Sequence, residues 1–296
     1  MTTLSRMIVD LSNRAVLFLL LAVAVLASLL SSFVNIFVAS EPASGWWVSW
    51  LQNFSTEMFG AFLTFLLLQI IVGNRQYKER LIGDMSSSVN DVAMRASEEL
   101  DTHGWLYDGS LQAADLVSAN LQGAQLSGAN LQKADLRNAN LKGATLELAH
   151  LEWADLVSAL LQNANLRDAN LQGAKCEFAR LEGADLVGAN LQGADLRYSN
   201  LTGVDARCAN LQGVRLENAS LSRANLSYTS LRDATLWRVN LREANLEAAD
   251  LGSADLTQAD LRSANLHQTH FDEGTILPDG TRWTQSTDLT RYQNVG

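Results

Sequence analysis

Leucine returns at every fifth residue from position 111 to position 276, and a small residue, most often alanine, stands two places before it. Of the 34 positions on this grid 30 are leucine, and the others are Cys176, Ala206, Phe271 and Ile276. The run Ala119-Asn120-Leu121-Gln122-Gly123-Ala124 shows the unit: a small residue, Asn or Asp, leucine, then two variable and mostly polar residues. An α-helix advances about 100° per residue, so a five-residue step would scatter the leucines around its whole circumference. A plain strand alternates its faces, and an odd period sends successive leucines to opposite sides. The pattern is buried on one side only if the chain turns a corner every five residues in the same sense. It therefore predicts a solenoid with short flat sides, lined by leucine and alanine and coated by the remaining positions. Asn, Asp and Gly suit tight turns, and the Asn or Asp before each leucine is read as a corner residue. Both prolines, Pro42 and Pro278, fall outside the array, so no backbone donor is missing within it.

This unit, A-[DN]-L-x-x, repeated without insertion, resembles the pentapeptide-repeat family. The resemblance implies an all-β solenoid, a right-handed quadrilateral β-helix with four pentapeptides per coil. With four sides per coil the array makes about eight and a half coils, and a strand-like spacing of roughly 4.8 Å gives a rod on the order of 40 Å long.

Upstream the pattern changes. No charge occurs in residues 15–40, long enough for a transmembrane helix, and a second uncharged stretch covers residues 58–74. Arg6 and Arg14 flank one side of this pair and Arg75, Lys78 and Arg80 the other, while the intervening loop holds Glu41 and Glu57 without Lys or Arg. By the positive-inside rule this reads as a two-span hairpin with both ends cytoplasmic, and Trp46, Trp47 and Trp50 suit an interfacial belt. The expected organisation is a transmembrane hairpin (1–73), a helical connector and N-terminal cap (74–108), the β-helix (109–276) and a C-terminal cap or tail (277–296). The expected location is the bacterial plasma (inner) membrane, multi-pass, with the N-terminus and the repeats cytoplasmic and the lipid bilayer as a partner. The surrounding sequence, including Gly104-Trp105-Leu106-Tyr107-Asp108-Gly109, is similar to membrane-anchored bacterial members of the family.

In the connector Leu81, Met85, Val89, Val92, Ala96 and Leu100 recur at threes and fours, with a break expected near Gly83 and the serines at 86–88. This stripe is expected to cover the first coil with Trp105, Leu106 and Tyr107; the alternative is pairing with another copy, giving a homo-oligomer through the connector or the spans. Leu277-Pro278-Asp279-Gly280-Thr281 carries a turn signature, and Trp283 and Leu289 follow as a lid for the last coil.

The candidate chemistry is sparse. Cys176 takes an inward grid position and Cys208 an outward one, so the two are not expected to form a disulfide. His103, His150, His267 and His270 pair with neither cysteine at a zinc spacing, and no phosphate-binding, dinucleotide or nucleophile-elbow motif occurs. No catalytic, cofactor or metal residue is assigned, and the chain is read as a non-enzyme. Folding the sequence at twenty residues per coil stacks Asp115, Asp135, Asp155, Lys175, Asp195, Arg215, Thr235 and Asp255, and the basic interruptions favour a mixed surface over a calcium ladder. The same folding places Phe178 and Tyr198 at one outward corner of successive coils, with Val157 beside them one coil lower and Trp237 two coils beyond Tyr198. Leu148, Trp153 and Leu160 also point outward. A cluster of exposed apolar side chains marks a contact surface, so Val157, Phe178, Tyr198 and Trp237 form the candidate partner-binding patch.

The leading expectation is a non-enzymatic, membrane-tethered scaffold for an unidentified protein partner. The alternative taken from the family is a DNA-mimicking binder of gyrase or topoisomerase. The chain carries a net charge of −10, but the array itself holds 14 Lys plus Arg against 20 Asp plus Glu. Duplex DNA carries a charge about every 1.7 Å, which is far denser. The acidic balance also argues against nucleic acid as a partner.

Overall fold

The computed structural model describes residues 46–293, with side chains from residue 60 onward. Helix α1 (Trp46–Met85) and helix α2 (Asn90–Thr102) precede the array, and a short helix α3 (Thr290–Gln293) follows it. The chain divides into two compact units, residues 1–79 and 80–296.

The expected transmembrane hairpin, and with it the multi-pass inner-membrane location, is overturned, and the bilayer as partner is left without support: among the described residues no helix is long and apolar enough to cross a membrane. The first expected span, residues 15–40, lies outside the described residues, as do the side chains of Trp46, Trp47 and Trp50. The second falls within α1. Its uncharged run, residues 58–74, rises only about 25 Å at 1.5 Å per residue, short of a hydrocarbon core of about 30 Å, before Arg75, Lys78, Glu79 and Arg80 intervene.

In the second unit the twenty-residue coil is explicit. Parallel bridges join Asp115 to Asp135, Asn120 to Asn140, Gln125 to Thr145 and Asn130 to His150, and continue in the same register to Asp250 with His270. The grid residues from Leu111 to Leu261 and the small residues before them from Ala119 onward are buried, nearly all at or below 2% exposure. Each side ends in a tight turn closed by a hydrogen bond from the small residue to the preceding leucine carbonyl, such as Ala119 N to Leu116 O at 3.1 Å. The second corner residue has positive φ in every turn from Ala113 to Gln268, which is the type II geometry. Many of these are not glycine, including Trp153, Phe178 and Tyr198 at φ of 61°, 60° and 60°. An L-residue pays about 1–2 kcal/mol for that conformation, so closure of the next coil holds the corner in place.

The Asn and Asp before the leucines are therefore not corner residues. They occupy the bridged rungs, and their side chains brace the corner that follows: Asp115 Oδ1 accepts from Val117 N at 3.2 Å and Asn190 Oδ1 from Gln192 N at 3.2 Å. Stacked asparagines also bond to one another, Asn190 Nδ2 to Asn170 Oδ1 at 3.0 Å and Asn210 Nδ2 to Asn190 Oδ1 at 3.1 Å. A short amide thus serves both the turn on its own coil and the rung below it.

The ends also depart from a simple extrapolation. Residues 86–89 break the helix, which resets the helical phase, so Val89 and Val92 are exposed while α2 buries Ala93, Ala96, Ser97 and Leu100. Leu81, Met85 and Leu106 are buried too. Ser87 O and Leu106 O accept from Asn120 N and Asn130 N, each at 2.8 Å, in place of a preceding coil. Leu81, Met85, Ala96 and Leu100 of the stripe are thus buried within their own chain, while Val89 and Val92 stay exposed.

At the other end the frame slips by one residue. Asp255 bridges Ile276, twenty-one residues on, and Leu277 rather than Ile276 is fully buried, with Thr275 in the small inward position. One additional residue between Phe271 and Thr275 is accommodated by Asp272, whose Oδ1 accepts from Ser253 N at 2.8 Å and Gly274 N at 2.9 Å. A one-residue slip exchanges the inward and outward sets. Trp283 then stacks on Phe271 with centroids 6.2 Å apart.

Candidate functional site

One wall of the solenoid concentrates the features that packing does not require. Phe178 and Tyr198 stack with ring centroids 5.1 Å apart and an interplanar angle of 6°. Both remain more than half exposed, at 56% and 51%. Their geometry follows from the coil: both occupy the second corner position, twenty residues apart, so the backbone sets one ring above the other at strand spacing. Two rigid side chains already in contact lose little rotamer freedom when a third surface meets them.

A chain of alternating charges runs beside this pair. Arg197 Nη2 reaches Glu177 Oε1 at 2.9 Å and Asp195 Oδ2 at 2.7 Å. Arg215 Nη1 reaches the same Asp195 oxygen at 3.1 Å, and its Nη2 lies 3.4 Å from Glu217 Oε1. Partial burial pulls the Asp195 carboxyl upward, but the hydrogen bonds from Arg197 and the attraction of Arg215 outweigh it and leave Asp195 below the usual carboxylate range. The Arg197 guanidinium is correspondingly raised, chiefly by its bond to Asp195. Each of these partly exposed pairs contributes little to folding, because solvent screens it and ordering two long side chains offsets the attraction. Three carboxylates here face two guanidiniums, so the charge beside the aromatic pair is largely paired with a small acidic excess.

The other two patch residues stand apart from the stack. Val157 is half-buried in the neighbouring column, one coil below Phe178. Trp237 is half-buried two coils beyond Tyr198, with the Arg238 guanidinium 4.7 Å from its ring centroid. Asn218 occupies the corner between them. The coil thus brings Phe178 and Tyr198 together and leaves Val157 and Trp237 as flanks.

Elsewhere, Trp153 lies over the next coil, where a Cβ added to Gly173 would meet its ring at 2.4 Å. Tyr228, 61% exposed, stands at another corner, and nothing in the single-chain pattern distinguishes it from other corner residues. The stacked column from Asp115 to Asp255 is present, and Asp155, Lys175, Asp195 and Arg215 follow one another along it. Among the described residues no three His, Cys, Asp or Glu side chains group as metal ligands. Cys176 is buried, which pushes its thiol pKa strongly up, and Cys208 is exposed; both are free.

The family described as pentapeptide repeats matches the chain in 8 copies over residues 110–147, 149–186, 184–223, 199–238, 219–258 and 240–274. Among solved structures, HetL, a pentapeptide repeat protein involved in heterocyst differentiation regulation from the cyanobacterium Nostoc sp. strain PCC 7120, is 33% identical with a TM-score of 0.51, over 58% of this chain and 82% of that one. QnrB1, a plasmid-mediated fluoroquinolone resistance protein, is 24% identical with a TM-score of 0.38, over 52% and 77%. A pentapeptide repeat protein from the Arabidopsis thaliana thylakoid lumen is 29% identical with a TM-score of 0.25, over 30% and 65%. The HetL likeness agrees with the solenoid, and the other two overlap too loosely to support anything further. No curated protein shows a comparable match.

Proposed function

Because the chain belongs to the pentapeptide-repeat family, we propose that it is a non-enzymatic protein-interaction module, a rigid solenoid presenting the Phe178 and Tyr198 wall to a protein partner. The observation that supports this reading is the stacked, exposed aromatic pair beside a bonded network of carboxylates and arginines. Inward positions are committed to packing and rungs to coil pairing, so the outward corners are where a partner is recognised. A desolvated aromatic anchor is the kind of group that dominates an interface. Val157 and Trp237 flank the anchor as its apolar border.

The test is substitution of Phe178 and Tyr198 together by Ser, followed by affinity capture and in-cell cross-linking against the parent chain. These side chains lie outside the core, so the far-UV spectrum and melting temperature should hold while captured proteins are lost. Retention of every captured protein and cross-link by the double variant would exclude this wall as the contact surface.

A further inference from the structure

Resting on the reading of the Phe178 and Tyr198 wall as a protein contact, we propose that its partner is the same wall of a second, antiparallel copy of this chain. The order of charges up the solenoid is self-complementary. The rung column reads Asp155, Lys175, Asp195, Arg215 on consecutive coils, each bridged to the next. The outward column beside it reads Glu177, Arg197, Glu217, with Arg197 Nη2 2.9 Å from Glu177 Oε1. Signs thus alternate in both columns at the strand spacing of about 4.8 Å.

An alternating column is its own complement when turned end over end about a point midway between two neighbours, because each charge then meets one of opposite sign. A two-fold axis lying in the interface and crossing both rods does this, and it keeps every column facing its own copy. Placed between the coils of 175–178 and 195–198, it sets Lys175 against the partner's Asp195, Asp155 against the partner's Arg215 and Glu177 against the partner's Arg197. Phe178 meets the partner's Tyr198 about the same point, so the two stacked pairs join in one four-ring cluster. Half a coil lower, Asp155 would meet the partner's Asp195, and half a coil higher, Glu177 would meet the partner's Glu217; like charges disfavour both. A whole-coil shift parts the aromatic pairs.

The same register lays the two arrays over each other with no overhang. Leu186 lies midway along the inward residues from Leu111 to Leu261, and also midway between Cys176 and Leu196 of the two central coils. In the outer coils Arg137 comes to the partner's Trp237, a cation against an indole. Glu217 meets the partner's Val157 and keeps its bond to its own Arg215. Asp115 and the partner's Asp255 are the one like-signed meeting in these columns, at the two ends of the contact, where salt screens it. A wall roughly 36 Å long and roughly 10 Å wide offers on the order of 400 Å² per copy, against about 800 Å² for a long-lived complex. The pair is therefore an exchanging one, and separately purified copies can be mixed.

The experiment mixes full-length chains bearing two different affinity tags, cross-links them and captures one tag. Parent mixed with parent is expected to give cross-linked pairs. Glu177→Arg and Arg197→Glu each set like charges across the axis, so each variant mixed with itself is expected to give at least about tenfold fewer pairs. Glu177→Arg mixed with Arg197→Glu restores opposite signs at both meetings and is expected to return to the parent level. Mixing cannot repair an effect confined to one chain, so the rescue reads contact between copies. Should either variant fail to fold, Lys175→Glu, at an exposed position, serves instead and is expected to lose pairs to the same extent. A parent chain without cross-linked pairs, undiminished pairing of the self-mixed variants, or no rescue by two folded variants overturns the proposal. Loss of other captured proteins by the Phe178 and Tyr198 double serine variant, with no self-pairing of the parent, removes only the second copy as partner and leaves the wall as a contact surface.

Discussion

Gly173 and Gly203 separate two costs that a corner glycine can avoid. Both have left-handed backbone, at φ of +65° and +67°. A Cβ added to Gly203 meets nothing within 4 Å, whereas one added to Gly173 falls 2.4 Å, 2.5 Å and 2.8 Å from three atoms of the Trp153 ring. Gly203→Ala therefore costs only the conformational strain, about 1 kcal/mol. Gly173→Ala costs the same strain and also forces the indole off its seat, adding about 1–2 kcal/mol in off-rotamer strain and lost contact. At about 2–4 °C per kcal/mol for a domain of this size, Gly173→Ala should melt several degrees below Gly203→Ala. Because Trp153 is 60% exposed, Trp153→Ala alone should cost little, and on the Gly173→Ala background it should recover the extra loss. The coupling in this double-mutant cycle is expected near 1–2 kcal/mol. Urea unfolding followed by far-UV dichroism provides the measurement. Equal destabilisation by the two alanines, or no recovery when Trp153 is removed, would refute the claim that the ring is seated on the glycine.

Three further outcomes follow from the same geometry. Leu196→Ala empties a fully buried inward position and should cost about 2–5 kcal/mol, read as a fall in the urea midpoint. With a thiol reagent at neutral pH, Cys208 should react promptly in the native chain and Cys176, buried with its pKa raised by desolvation, only on unfolding; two fast thiols would contradict the inward placement of Cys176. Asp195 is held below the ordinary carboxylate range, so its contribution is present above the unfolded pKa of about 3.9 and is lost as pH falls through the lower native value. The gap in urea midpoint between the parent and Asp195→Asn should accordingly be widest at pH 7 and narrow toward pH 3, and a gap that is flat with pH would remove the network from the account.

Much of the array was legible because period and geometry are tightly linked. A five-residue spacing of leucine admits neither helix nor strand, and the twenty-residue coil that closes the four sides stacks Phe178 on Tyr198 by arithmetic alone. Legibility failed where one residue changes the register or where an interaction spans columns. The slip between Phe271 and Thr275 hides behind Ile276, an apolar residue sitting on the extrapolated grid, and is settled only by Leu277 filling the core. Asparagine before leucine reads as a turn former in isolation, yet the coil places it on the rung, where its amide braces the turn two residues later. The chain of Glu177, Arg197, Asp195, Arg215 and Glu217 joins residues of three coils, and no local pattern signals it.

By itself the sequence determined the solenoid, its inward residues and the corner that carries the aromatic pair, because each depends on a period repeated more than thirty times. The tertiary structure alone decided how the ends are closed, how carboxylates and arginines pair beside Phe178 and Tyr198, and why a side chain at Gly173 meets the Trp153 ring. Those features arise once per molecule, from contacts between residues that sequence distance does not relate, and a repeating pattern holds no information about an event that does not repeat.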